Sequence, residues 1–427
     1  MDSIRVNQAI RWLIEVKLAI DPAQFNLRLL PPEFYTDPFP TYARLRREAP
    51  VLSCPDGSIF LTRHADLLAV YRDSRRFSSD KRMQFGPVFG VGTPLFEHHT
   101  TSLVFNDPPL HTRVRRAIGD ALSARVVGAL ESAVETLVNR LIDRLETDVP
   151  VDVIADYAAA IPVEVISNLL AIPSDERGPL RGWSLRILGS LEVAADAKTL
   201  AAGQQAVQQF LAYLMDLVER RRSHPMGDDI VARLLRATGA QTGEQSNQIA
   251  TQALSMQELL HQCIFLLNAG HETTTNLIAN GIVLLASNPA VPMNLRSDSA
   301  AIAATVEEVL RMESPNQLGN RTAITDLSID GVNIAAGTVI TLCIGAANRD
   351  PDVFPDPDVF KWDRTPNPHL AFGAGIHTCA GLAIARLEGR VGLLRLFQRF
   401  PGVKVVRAKR ASRARFRGFE NLEVVLA

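Results

Sequence analysis

Residues Met256–Ala286 read as a single long, largely apolar helix, and this stretch restricts the possible folds more than any other part of the chain. Its centre, Asn268-Ala269-Gly270-His271-Glu272-Thr273-Thr274, carries too many polar groups for the helix to cross a membrane. A buried carboxylate and buried hydroxyls cost free energy unless they are hydrogen-bonded or put to use. Threonine hydroxyls can also bond the carbonyl one turn back and bend the helix. The residues leave two readings open: a polar stripe facing water, or a polar centre kept inside for function.

The surrounding pattern is helical too. From about residue 110 to 310 apolar residues recur at three- and four-residue spacing, as in Leu130, Val134, Leu137, Val138, Leu141 and Ile142. Two regions read as strands: residues 51–62, and residues 321–342, where alternation is punctuated by Asp330-Gly331 and Ala336-Gly337 turns. Pro351, Pro355, Pro357, Pro366 and Pro368 then impose an extended meander. The expected fold is mainly α with small β-sheets flanking the helical body.

A length of 427 residues nominally suggests two or three domains. Repeats and low-complexity linkers are absent from the sequence, and the best candidates for flexible connections are residues 223–229 and 239–247. At 47% hydrophobic and 21% charged, the chain can bury a large core. Its 45 basic and 46 acidic residues nearly cancel, so no global field would draw it to nucleic acid or an anionic membrane. Four scattered cysteines, Cys54, Cys263, Cys343 and Cys379, make no disulfide framework and fit a reducing cytoplasm. Residues 1–20 are too charged, with Arg11, Glu15 and Lys17, for a signal peptide or anchor. An amphipathic helix packed on the body or lying weakly on a membrane remains.

Phe372-Gly373-Ala374-Gly375-Ile376-His377-Thr378-Cys379-Ala380-Gly381 is a Gly-rich loop running into an obvious helix. At a helix start, unpaired N–H groups and the positive end of the dipole favour a thiolate, the form of cysteine that binds metal. Glycines let the backbone approach a large flat cofactor. A small buried cysteine is the plainer alternative. A dinucleotide fingerprint fails, because its third glycine would fall at Thr378 and no buried strand precedes it. A zinc site fails because His377 and Cys379 supply only two ligands.

This decapeptide resembles the haem-binding signature of the cytochrome P-450 family, Phe-Gly-x-Gly-x-His-x-Cys-x-Gly, at every defined position. The resemblance implies haem b, with Cys379 as the axial iron ligand, His377 on a propionate, and Phe372, Gly373 and Gly381 around the cofactor. A thiolate ligand pushes electron density onto haem iron and favours O–O cleavage. Ala269-Gly270-His271-Glu272-Thr273 is similar to the family's Ala/Gly-Gly-x-Asp/Glu-Thr segment. By that match Ala269 and Gly270 leave room for dioxygen, and Glu272 and Thr273 form the acid–alcohol pair that relays protons.

Further matches follow in the family's order. Asp107-Pro108-Pro109-Leu110-His111-Thr112-Arg113-Val114-Arg115 nominates His111 and Arg115 as propionate partners, and Arg321 takes the place of another. Glu308 and Arg311, with Arg364 in the meander, resemble a structural Glu-x-x-Arg element. The resemblance implies one domain over residues 22–427, preceded by an N-terminal extension over 1–21, and it overrules the multi-domain prior.

The same likeness places an apolar substrate pocket at Phe85, Val88, Phe89 and Phe96, then Leu185, Leu188 and Leu191, then Asn316, Gln317 and Leu318. That suits a lipophilic substrate. The expected reaction is monooxygenation by O2, a hydroxylation or epoxidation. Electrons would come indirectly from NAD(P)H through a ferredoxin reductase and a separate iron–sulfur ferredoxin, docking near Arg113, Arg116, Arg386 and Arg390. Desaturation, oxidative coupling or C–C cleavage at the same site is one alternative, and a non-catalytic haem-based ligand binder is another.

Overall fold

The computed structural model describes residues 19–223, 231, 254–291 and 300–427. The expected N-terminal helix, up to residue 18, and the connections at 224–229 and 239–247 lie outside the described residues.

Met256–Ala286 forms one helix, with the bounds expected from sequence. At about 1.5 Å per residue it is about 46 Å long, enough to run through the whole molecule. Ser255 starts it with a capping box: its Oγ accepts from the Glu258 N–H at 3.0 Å, and Glu258 Oε2 accepts from the Ser255 N–H at 2.7 Å. The buried amides on this helix pin loops against it. Gln262 donates to Thr101 O at 2.7 Å and accepts from the Leu103 N–H, while Asn280 donates to Glu313 O and Arg417 O. No described helix is long and apolar enough to cross a membrane.

Among the described residues, twelve helices of at least eight residues are labelled α1 to α12 in chain order. The ones that build the site are α4 (Pro94–Thr101), α5 (Leu110–Ala121), α8 (Leu180–Gly189), α10 (Met256–Ala286), α11 (Ala301–Met312) and α12 (Leu382–Arg399). Helices α8, α11 and α12 pack on α10, and one continuous apolar core runs through Leu259, Ile264, Leu267, Ile278, Val309, Leu393 and Phe397. The architecture is mainly α with small sheets flanking it, as expected.

The expected strand regions resolve into hairpins. Val51–Ser53 (β1) pairs with Ile59–Leu61 (β2), and Leu318–Ala323 (β5) pairs with Val339–Cys343 (β8). With Phe77–Ser78 (β3) they make a five-stranded sheet in the order β1-β2-β8-β5-β3, whose β2–β8 pairing is parallel. Between β5 and β8, Leu327–Ile329 (β6) and Val332–Ile334 (β7) form a hairpin whose turn, Asp330-Gly331, has positive φ at both residues. A third sheet, not anticipated, joins Pro150–Asp152 (β4), Lys404–Arg410 (β9) and Phe419–Val425 (β10). Strand β9 is a charged, exposed edge strand without apolar alternation, so periodicity alone gives it no mark.

Glu308, Arg311 and Arg364 are brought together in the interior. Arg311 donates to both Glu308 oxygens at 2.7 and 2.8 Å, and Arg364 Nε lies 3.1 Å from each. Both guanidinium groups then donate to meander carbonyls, including Asn348 O, Pro357 O and Pro355 O. The Lys361 N–H and Asn367 side chain complete the Glu308 carboxylate. This network fixes the Pro-rich meander that delivers the residue 372–381 loop.

Candidate active site

The loop is closed by backbone hydrogen bonds from Gly373 to Leu370 O, from Thr378 to Gly375 O, and from Cys379 to Phe372 O at 2.9 Å. Gly375 has φ +71°, and a Cβ there would lie 2.1 Å from Tyr71 O, so only glycine lets the loop press this closely on its neighbour. Cys379 sits three residues before α12, whose N-cap is Gly381. Burial pushes its thiol above the ordinary value, while the Gly381 N–H, Arg115 and Arg386 pull the other way. Burial outweighs the helix start that was expected to favour the thiolate. A bound metal cation would supply the missing stabilisation, because it deprotonates a coordinating thiol outright.

Cys379 opens onto a cavity of about 350 Å³, within the range of small-molecule sites. Phe372, Gly373, His377, Cys379 and Gly381 line it from the loop, and Ala269, Gly270 and Thr273 line it from α10. Arg115 and Arg321 line it as well. His111 is not on the wall but packs at a tilt beside His377, ring centroids 4.2 Å apart, and the Nε2 atoms of both rings have no partner. Burial and the surrounding Arg321, His111, Arg115 and Lys81 press the His377 pKa down to about 2.

Lys81 was not anticipated from sequence. It is 2% exposed, bonds Thr322 Oγ1 at 3.2 Å, and is pushed down to about 7 by burial and by Arg321 and Arg415. Mutually repelling cations and unpartnered imidazole nitrogens at one end of a cavity call for anions. A flat cofactor with two carboxylates at that end and a metal at Cys379 answers both needs, and haem b has that form.

The acid–alcohol pair is divided. Thr273 faces the cavity and donates from Oγ1 to Ala269 O at 2.7 Å. Glu272 is absent from the wall and is ion-paired with Arg413, in the turn between β9 and β10. Successive helical residues point about 100° apart, and here Thr273 is on the cavity side and Glu272 is turned towards Arg413. Burial raises the Glu272 carboxyl above its usual range, against Arg413, and its Oε2 has no partner. A second carboxyl went unnoticed in the sequence: Glu388 on α12 lines the cavity beside Thr274, and burial pushes it up to about 8. It is the one acidic residue in a helix whose charged residues are otherwise all basic, and that was its sequence mark.

Of the expected pocket residues, Leu188, Leu191, Asn316 and Leu318 are on the wall. Phe85 and Phe89 lie behind it. They pack against each other at 4.9 Å and against His99, so that His99 and Phe105 take the wall in front of them. Val88, Phe96, Leu185 and Gln317 are off the wall as well. Three arginines expected at the redox-partner face are ion-paired: Arg113 with Glu258, Arg386 with Glu307 and Arg390 with Glu131.

A protein-family model described as Cytochrome P-450 matches residues 195–409. Over 407 residues the chain is 32% identical to the biotin biosynthesis cytochrome P-450 of Bacillus subtilis (strain 168), covering 92% of this chain and 96% of that protein. It is 38% identical over 368 residues to the vitamin D(3) 25-hydroxylase of Pseudonocardia autotrophica, covering 85% and 86%. The fold matches the crystal structure of a cytochrome P-450 in complex with an acyl carrier protein ligated to hexadec-9Z-enoic acid, at TM-score 0.85 and 31% identity, covering 92% of this chain and 99% of that one.

Proposed function

The chain belongs to the cytochrome P-450 family and is one of its monooxygenases, and from that premise we propose that it hydroxylates or epoxidises a lipophilic small molecule with O2, drawing electrons from NAD(P)H through a ferredoxin reductase and a separate ferredoxin. The observation that carries this reading is that Cys379 and Thr273 share one mostly apolar cavity. When bound there, haem supplies the oxygen activation that no side chain can provide.

The chain's own residues then divide the work. Cys379 would hold the iron, and His111, Arg115, Arg321, His377 and Lys81 the carboxylates. Ala269 and Gly270 keep one wall open, while Leu103, Phe105, Leu188 and Leu318 keep it apolar and exclude water. Thr273 Oγ1 donates to Ala269 O and keeps its lone pairs free to accept a proton donor in the cavity. Glu272, oriented by Arg413 outside the wall, would reach that hydroxyl only through an intervening water. A ferredoxin's carboxylates would compete with Glu258, Glu307 and Glu131 for the surface arginines.

The test is the difference spectrum of the dithionite-reduced protein with and without carbon monoxide. A Soret band at the red-shifted, thiolate-ligated position is expected, and Cys379→Ser should abolish it. A band at the imidazole-ligated position in the unsubstituted protein, or its persistence in Cys379→Ser, would overturn the ligand assignment.

A further inference from the structure

The turn between β9 and β10 carries three arginines at alternate positions, Arg413, Arg415 and Arg417. Arg413 is ion-paired with Glu272, and Arg417 with Glu313 at 2.6 Å. Arg415 is paired with no acid in this way. Its Nε donates to Leu191 O at 3.3 Å and its Nη1 to Leu318 O at 3.0 Å, and no carboxylate of the described residues comes within 4.0 Å of its guanidinium. Nη2 makes no hydrogen bond, yet it is not sealed off as the unpartnered Nε atoms of Arg181 and Arg395 are.

The position of this guanidinium is fixed. The Gln317 N–H donates to Arg415 O and the Arg417 N–H to Pro315 O, both at 2.8 Å, and Asn316 bridges Phe416, so the turn runs antiparallel to the segment entering β5. Arg415 lines the cavity with Leu188, Leu191, Asn316, Leu318 and Phe416. Glu192 meets its backbone rather than its guanidinium: Oε2 accepts from the Arg415 N–H at 3.4 Å, and Oε1 is buried without a partner. Burial works against the Arg415 charge and raises the Glu192 carboxyl above its ordinary range. An arginine nevertheless stays protonated, and with two of its five guanidinium donors taken, the others are left to the cavity. A desolvated cation without a contacting counter-ion is costly until an anion completes it.

We propose that Arg415 anchors the carboxylate of an otherwise apolar substrate, in the substrate chamber proposed above, on which this assignment rests. A carboxylate's single charge matches the one unpaired guanidinium of the turn, and its oxygens accept from the free terminal N–H groups. A phosphate dianion would carry a second charge into the apolar wall, and an ester or alcohol would leave the cation uncompensated. The bonds of Arg415 to Leu191 O and Leu318 O tie it to the wall residues of the chamber, apart from the 372–381 loop that carries Cys379 and His377. Holding the acid end beside Leu191 and Leu318 fixes how many carbons separate the carboxylate from the carbon that is oxidised.

Imidazoles tethered to the haem iron of the holoprotein test this by Soret titration. Three series of 1-substituted imidazoles, with chains of four to ten carbons, end in a carboxylate, its methyl ester or a methyl group. At one chain length the acid should bind at least about tenfold tighter than its ester, the weight of a hydrogen bond to a charged group. That advantage should persist in about 1 M salt, where exposed charges are screened within about 3 Å. Arg415→Gln, which keeps an amide and drops the charge, should cut it below about twofold and leave the methyl series within about threefold. Arg415→Met replaces that variant should it fail to take up haem.

An acid that is no tighter than its ester at every length overturns the anchor, as does an advantage that survives the substitution or vanishes in salt. Haem lost from the variant to apomyoglobin about tenfold faster than from the parent overturns it too, because Arg415 would then serve the cofactor's carboxylates. In all four cases the chamber reading survives, because the ligands still shift the Soret band. No shift with any series overturns the chamber reading itself, and the anchor with it.

Discussion

Single residues in this site work because of where burial leaves their protons. Thr273 Oγ1 is a cavity-facing hydroxyl of α10, and Thr273→Ala removes the group proposed to pass protons. The variant should keep its carbon monoxide spectrum and divert consumed reducing equivalents into hydrogen peroxide, and unchanged coupling would dismiss the role. Glu388 gives a pH test. Burial raises its carboxyl from 4.5 to about 8, so it enters the folded state protonated. A raised folded pKa contributes stability that is complete below about 4.5, where the unfolded state is protonated too, and is lost as pH rises through about 8. Glu388→Gln stays neutral throughout. Its melting temperature should gain on the parent's between pH 5 and pH 8, and parallel curves would show that the carboxyl is ionised in the fold.

At the scale of elements, the meander keeps no regular hydrogen-bonding pattern of its own and depends on Glu308. The carboxylate and Arg311 are fully buried, so removing one charge strands the others. Glu308→Gln should cost about 3–5 kcal/mol, the usual penalty for breaking a buried ion pair from one side. Denaturant titration reads that loss, and a change within error of zero would mean that the meander is held by other contacts. Ser255→Ala is the matched local case, a single cap worth about 1 kcal/mol. The contrast separates an element held by its own sequence from one held by its partners.

Across the whole molecule, the C-terminal sheet is tied to the helical body through Glu313 at the end of α11. Arg417 Nε donates to Glu313 Oε2 at 2.6 Å, Arg410 reaches it at 3.1 Å, and Arg349 lies 3.5 Å from Oε1. Burial alone would raise this carboxyl, yet Arg417, Arg410 and Arg349 hold it at about 2. A depressed folded pKa contributes stability present above about 4.5 and lost as pH falls through about 2. Glu307, held at about 2 against burial by His369 and Arg386, acts in the same window on the link between α11 and α12. Thermal unfolding should therefore shift steeply downward between pH 5 and pH 2.5. Glu313→Gln should flatten that dependence while lowering stability at pH 7, and an unchanged slope would place the acid-labile contact elsewhere.

The long helix, its bounds, the β6–β7 turn and the loop carrying Cys379 could all be read along the chain, because a helical period, a turn dipeptide and a spaced motif are local properties. The pairing of Glu308 with Arg311 and Arg364 was read through resemblance, and only the structure shows how deeply it is buried. Lys81 and Glu388 were not legible as site residues, and that Phe85 and Phe89 lie behind His99 was not legible either, because each depends on which face of one helix meets another distant in sequence. The same holds for Glu272, whose partner Arg413 is 141 residues away. Periodicity settles that a residue is buried; the tertiary structure alone decides against what, and in a site made of charges and orphaned hydrogen bonds that neighbour sets the chemistry.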